Sequence, residues 1–445
     1  MRPLIFVIAL SGSLLSLGGL PVVAENWPQW RGPSGNGISR ETGIATEWSR
    51  TKNVAWRLPL PGPAGATPIV WEDRIFVTSS VGAEEGGDLV LLCIDTNGKD
   101  LWRAKVGSGN LNARTAEGNS ASPTPVTDGE HVWTFFGTGI LGCYDFDGNE
   151  IWKFNVQDRY GKFDIQFGMS STPVLFGDHL YLQLLHGTWG GEYLVQKVIK
   201  LDKTTGEEVW AVDRAPEPGV TTLDMGETKH AYCSPILYDD GAQQFLVTHG
   251  ADSTIGHDLQ DGREVWRLGA LNGPTSFNPG KFDPTFRFVS SPTAIDGTIV
   301  VTTAKNGPSI ALRVDDRLAG RVDQPSPHVR WVNEKTPDVC CPLILDGLVY
   351  FVRKSGQVFC VDLESGEELY YENTHRQQHR SSPVYCDGLI YSTARDGHTT
   401  VLKAGRKFEI VAQNDLEESM TSTPVISNGT LYMRTYDALY AIRAK

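Results

Sequence analysis

The 445-residue sequence carries an excess of acid, 53 Asp and Glu against 40 Lys and Arg, for a formal charge of −13. That balance excludes a general nucleic-acid binder, which would show a basic face. Beyond residue 24 no run approaches 18 consecutive apolar residues, so no later segment reads as a membrane-spanning helix. The seven cysteines include no C-x-x-C pair, and an odd number leaves at least one thiol unpaired. No G-x-S-x-G nucleophile elbow is present. The one H-x-x-x-H spacing, His375 to His379, has no Glu after its first histidine and lies between strands, so a zinc-hydrolase motif is excluded. Disorder is excluded too, since 12 Trp, 14 Tyr and 17 Phe bury large areas.

What is there begins with an address. Arg2 precedes an apolar run from Leu4 to Leu20, then Pro21-Val22-Val23-Ala24, the layout of a secretory signal cleaved after a small residue. The run is short and broken by Gly12, Gly18 and Gly19, which favours a cleaved signal over an anchor. Residues 1–24 are therefore expected to be removed, and 25–445 to form one exported domain, periplasmic or secreted. No cysteine follows the run, so lipid attachment at that point is not expected.

One phrase then recurs eight times: a small or hydroxyl residue, Pro, an aliphatic residue, a turn pair, and a second apolar run. Its prolines are Pro68, Pro125, Pro173, Pro235, Pro292, Pro342, Pro383 and Pro424. Each copy reads as strand, tight turn, strand, with proline at the strand's first residue, where it is tolerated. The Ser and Thr before the prolines read as strand-start hydrogen bonders. A second phrase follows most copies, best seen as Asp202, Thr205, Gly206 and Trp210, and places an aromatic about four residues after a glycine turn. Each unit thus supplies four short antiparallel strands. The mean step from Pro68 to Pro424 is about 51 residues, which suits propeller blades over helical solenoids. The eighth unit ends at Ile442 without its Trp strand, while an orphan Trp strand, Lys52 to Leu58, precedes the first unit. Setting Trp56 into the last blade predicts an all-β, eight-bladed β-propeller whose N-terminal strand closes the ring and protects a sheet edge.

The paired phrases resemble the pyrroloquinoline-quinone (PQQ) type repeat, and Trp27-Pro28-Gln29-Trp30-Arg31-Gly32-Pro33 resembles the opening box of exported proteins carrying it. The repeat is shared by eight-bladed quinoprotein alcohol dehydrogenases and by a non-enzymatic lipoprotein of the outer-membrane β-barrel assembly machinery. For the enzymes the resemblance implies a quinone over a Trp in the channel mouth, a calcium ion held by carboxylate and amide oxygens, an Asp base, and often a ring of adjacent cysteines. No Asp or Glu of this chain matches the base or the calcium ligands, so PQQ and calcium are not supported residue by residue.

The adjacent pair Cys340-Cys341 admits two readings. Neighbouring Cα atoms lie ~3.8 Å apart, short of the roughly 4.4–6.8 Å a disulfide prefers, so a vicinal ring would be strained. Alternatively the pair replaces the Ser-Ser that precedes Pro292 and Pro383, and this bland reading is preferred. Cys93, Cys143, Cys233, Cys360 and Cys386 read as buried thiols.

Ligand-binding residues are expected on segments joining blades and on middle hairpins. The joining segments carry Asn119, Gln166, His230, Tyr232, Arg287, His379 and Arg380, with Arg114 and Glu117 nearby. Hairpin cations Lys305, Arg353, Arg395 and Arg434 form a partial ring over blades five to eight that would attract an anion, unless each is tied to a local acid. The expected function is an exported scaffold for binding or protein assembly, its partner a protein or a small anionic ligand. A PQQ-dependent alcohol or sugar oxidoreductase, or another propeller enzyme such as a glycan lyase, is the alternative. The mature protein is expected to begin at Glu25, and an intact mass that includes Met1–Ala24 would refute the cleavage.

Overall fold

In the computed structural model, residues 25–82, 86–111, 118–217, 225–305 and 307–444 are described; the proposed signal lies outside them, as do Arg114 and Glu117. Eight sheets follow one another along the chain, antiparallel but for one strand added in parallel to the fourth. Each begins beside the channel with a short strand, as at Ile69–Trp71 or Val384–Cys386, and ends on an outer strand with an exposed face, as at Asp100–Ser108. The third blade shows the pattern in full, pairing Val174–Phe176, His179–Gly187, Leu194–Asp202 and Glu208–Asp213 in order. Its two middle strands are buried almost throughout, because they are covered by neighbouring blades on both faces.

The last blade holds Val425–Ser427, Thr430–Arg434 and Ala438–Ile442, and its fourth strand is Val54–Pro59 from the N-terminal end. Trp56 pairs with Ala441 and Leu58 with Leu439. This seam is pinned by Glu418, whose carboxylate accepts from Arg57 Nη2 at 2.9 Å, Tyr440 OH at 2.6 Å and Thr435 Oγ1 at 2.6 Å.

The wedge aromatics work as the repeat implies. Trp56 donates its indole N–H to Thr96 O at 3.0 Å, and a Cβ on Gly98 would come within 2.7 Å of its ring, so only glycine admits this contact. Trp102, Trp152, Trp210 and Trp331 make the equivalent hydrogen bond to the next blade, at 2.8 to 3.3 Å. Trp266 is the exception. The fifth blade has lost the turn that would receive it, and the strand Gly320–Val322, inserted before the outer strand Val329–Asn333, instead pairs in parallel with Trp266–Leu268. The fourth blade thereby gains a fifth strand, and Leu318 and Val322 join the apolar cluster around Trp266.

The residue before each proline forms a second, inner closure. The backbone N–H of Thr67 donates to Thr124 Oγ1 at 3.0 Å, Thr124 to Thr172 at 3.1 Å, Thr172 to Ser234 at 2.8 Å and Ser234 to Ser291 at 2.8 Å. Ser291 N–H donates to Cys341 Sγ at 3.2 Å, Cys341 to Ser382 Oγ at 3.0 Å, Ser382 to Thr423 Oγ1 at 3.4 Å, and Thr423 back to Thr67 Oγ1 at 3.1 Å. Eight blades are thus joined head to tail in one circle. Cys340 and Cys341 are free, buried thiols, and Cys341 occupies the acceptor position that a hydroxyl fills elsewhere. No bond joins Cys340 to Cys341 here, and the Cys341 sulfur stands where a Ser or Thr oxygen stands in the other blades.

Two outcomes are expected. A thiol titration after unfolding without reductant should count all seven cysteines, and Cys341→Ser should leave stability within about 1 kcal/mol while Cys341→Ala, stranding the Ser291 N–H, costs about 1–3 kcal/mol. At the seam, burial alone would raise the pKa of Glu418, but hydrogen bonds from Thr435, Tyr440 and Arg57 outweigh it and hold the carboxyl below its usual range. A depressed folded-state pKa stabilises above the unfolded value of roughly 4.3 and loses that contribution as pH falls through the folded value. Glu418→Gln should cost about 2 kcal/mol near neutrality, with the gap to the parent closing in acid; a constant gap in denaturant melts would refute the assignment.

Candidate functional site in the channel mouth

The inner ring of hydroxyls narrows the channel, and the chain before the first blade fills it. Trp27 bridges to Val70 of the first blade, and Ile38 bridges to Tyr385 of the seventh. Between them Arg31, with φ of 66°, turns the segment through the axis. Its buried guanidinium donates to Thr293 Oγ1 and Pro342 O, both at 2.6 Å, and to Asn36 O at 2.9 Å. Trp30 stands next to it, its indole N–H directed at Thr423 Oγ1 at 3.4 Å. Trp30, Thr172 and Ser234 are shared by two cavities. The larger, about 690 Å³, lies against the inner strands of blades three to five.

The smaller, about 490 Å³, is the mouth. Trp30 is its floor, and six members of the hydroxyl ring, together with Ser122, Ser170 and Thr421, line its wall. Phe167 and Tyr232 add an aromatic side, their ring centroids 5.8 Å apart and inclined at 70°. Two guanidinium groups, Arg287 and Arg380, complete it, and Val289 and Val339 are the sole aliphatic residues among those described. Arg287 lies over the Phe167 ring at 5.1 Å and its Nη1 is 3.5 Å from the buried Glu227 carboxylate. Desolvation raises the Glu227 pKa against the pull of Arg287 and Lys305.

Of the residues singled out in the sequence, Tyr232, Arg287 and Arg380 line this cavity. The others serve nearby structure. Asn119 spends its side-chain amide on Pro63 O at 2.6 Å and Ser80 Oγ at 3.1 Å. His230 is buried, with Nε2 2.8 Å from Gly187 O and Nδ1 3.3 Å from Tyr232 OH. A carbonyl only accepts, so Nε2 carries the proton and Nδ1 accepts from the tyrosine. Burial lowers the His230 pKa and pushes that of His379, which contacts Gln377 O, down to about 4. Gln166 does not line the cavity, and its Oε1 is buried without a hydrogen-bond partner among the described residues.

The hairpin cations do not converge on the cavity. Lys305 pairs with Asp283 at 3.0 Å, Arg353 donates to Tyr371 OH at 3.0 Å, and Arg395 reaches Gln378 Oε1 at 3.4 Å. Arg434 is buried and stitches the last blade to the first through Ala66 O at 3.2 Å; burial without an acidic partner lowers its pKa to about 9. Each of these side chains has a partner that a linear reading does not show, and none is among the described residues that line the mouth. Sequence reasoning missed Trp30, Phe167 and Ser170. For Trp30 a signal existed, since the Trp-Pro-Gln-Trp-Arg-Gly box lies outside every repeat.

The mouth does not fit a quinone acid held with calcium. Calcium needs six to eight oxygen ligands, mostly carboxylate and amide, and the described lining residues include no Asp, Glu, Asn or Gln. Among the described residues no group of three or more His, Cys, Asp or Glu is arranged to hold a metal, and no helix is long and apolar enough to cross a membrane.

Comparison with known proteins places this geometry. The family described as outer membrane protein assembly factor BamB matches residues 87–370. BamB from Moraxella catarrhalis superimposes with a TM-score of 0.60 at 13% identity, covering 88% of this chain and 97% of that one. A europium-containing methanol dehydrogenase gives 0.64 at 12% identity, covering 92% and 89%. Quinohemoprotein alcohol dehydrogenase from Comamonas testosteroni gives 0.62 at 13%, covering 94% and 80%. No curated protein matches by sequence. At such identities the structures share a fold and no more, but the family match spans more than half of the chain, and the chain belongs to the BamB-type family of PQQ-like repeat propellers.

Proposed function

We propose that this chain is an exported binding scaffold, presenting its channel mouth and rim loops to a protein or a small anionic ligand, and that it is not a quinone-dependent dehydrogenase. One observation carries the reading: the described lining of the mouth offers hydroxyls, aromatic rings and guanidinium groups, but no carboxylate, amide or imidazole. Dehydrogenation of an alcohol needs a base within hydrogen-bond reach of the hydroxyl proton. His230 spends both ring nitrogens behind the wall, and burial holds the Tyr232 phenol far above its usual range, so neither supplies one at neutral pH. A lyase acting at the mouth would lack a base for the same reason. An assembly role is in keeping with the family, whose described member is an assembly factor.

A dye-linked oxidation assay with added PQQ and calcium tests this directly. No turnover on primary alcohols or sugars is expected, alongside recovery of a specific partner or ligand from the extracytoplasmic fraction. Turnover that depends on the added quinone would overturn the scaffold reading.

A further inference from the structure

The ring that closes the fold also sets the chemistry of the mouth. Each Thr or Ser of the ring accepts the N–H of the preceding blade through its oxygen, and a hydroxyl that accepts in this way keeps its own hydrogen to donate. Thr67, Thr124, Thr172, Ser234, Ser382 and Thr423 line the cavity, so up to six O–H donors face a space in which the charged lining residues among those described are Arg287 and Arg380. Thr421 adds a hydroxyl with no hydrogen-bond partner among the described residues. The cavity is therefore rich in donors and poor in acceptors, which selects a ligand rich in acceptor oxygens and carrying negative charge. The remaining surface is aromatic, from Trp30, Phe167 and Tyr232, with just two aliphatic residues. Such a wall suits the face of a hydroxylated ring better than an aliphatic acid, which would look for Leu, Ile and Val.

We propose that the mouth binds a sugar acid, a pyranose ring bearing one carboxylate, alone or as the end residue of an acidic oligosaccharide. The carboxylate pairs with Arg287, whose guanidinium is held in place by the Phe167 face and by Glu227 behind it. The ring lies on the aromatic floor and its oxygens meet the hydroxyl circle. This inference rests on the scaffold reading and names its ligand.

The test is calorimetric titration of the full-length exported protein with glucuronate, galacturonate and their short oligomers, against the matching neutral sugars and benzoate. A uronate is expected to bind at least ten-fold more tightly than its neutral counterpart and than benzoate. Arg287→Gln should weaken uronate at least ten-fold and erase the preference over the neutral sugar. Trp30→Ala, which removes the aromatic floor and leaves Arg287 on the Phe167 face, should weaken acid and neutral sugar alike, and circular dichroism melts show whether each variant is folded. Absence of uronate binding, equal binding of the neutral sugar, binding of benzoate as tight as uronate, or a folded Arg287→Gln with unchanged affinity would each overturn the proposal. Any of these would leave the scaffold reading standing if no quinone-dependent turnover is found, so the two fail separately.

Discussion

Eight backbone N–H groups converge on the channel at one level, and each must find an acceptor or carry the cost of a buried, unpaired donor. The chain meets this by placing a short side chain with a lone pair immediately before a proline in every blade. The proline matters as much as the hydroxyl. It has no N–H, so a single donor per blade has to be satisfied at this level, and the acceptor of the next blade suffices. Because each member is donor to one neighbour and acceptor from the other, the circle works only when complete, and the last link, from Thr423 to Thr67, joins the two ends of the repeat. Cys341 shows what the position requires: a small side chain with a lone pair, for which sulfur serves at 3.2 Å.

The outer closure obeys a different rule. There the strand Val54–Pro59 completes the last sheet, so the final blade cannot form until the chain's two ends meet. Glu418 gathers three donors at that seam, and Glu41, from the segment before the strand, accepts the N–H groups of Asn428 and Gly429, both at 2.6 Å. The N-terminal segment is thus fastened both to the rim and through the axis, which is why its aromatic box reaches the channel floor at all.

How far the sequence can be read follows from the range of the interactions involved. Blade number, turn glycines and wedge tryptophans repeat, and a repeated local constraint leaves a repeated trace. Trp56 was legible as the missing strand because its phrase matched seven others in kind. The five-stranded fourth blade was not, since it arises where one copy lost its turn and the insertion around Gly320–Val322 covered the exposed Trp266. The partners of the hairpin cations were not legible either: Asp283, Tyr371 and Gln378 meet Lys305, Arg353 and Arg395 from other parts of the chain. The residue before the proline in six blades and the residue three before it in all eight, Ser170 among them, line the mouth, so that much of the lining follows the repeat, while Phe167 and Trp30 lie outside its period.

Conservation of architecture at 12–13% identity then has a physical reading. The residues that close the circle and fill the wedges in this chain serve the fold, and they do not by themselves name a ligand. Everything facing the mouth from the joining segments is free to change without cost to either closure. Yet the ring does restrict what can sit there. Its hydroxyls cannot be traded for apolar side chains without stranding a backbone donor, so any ligand of this channel meets a collar of O–H groups whatever else surrounds it. With Trp30, Thr172 and Ser234 shared by two cavities that otherwise differ in lining, ligands of the two meet different surfaces, and specificity at the mouth has been left to the few side chains, Arg287 and Arg380 first among them, that join the collar there.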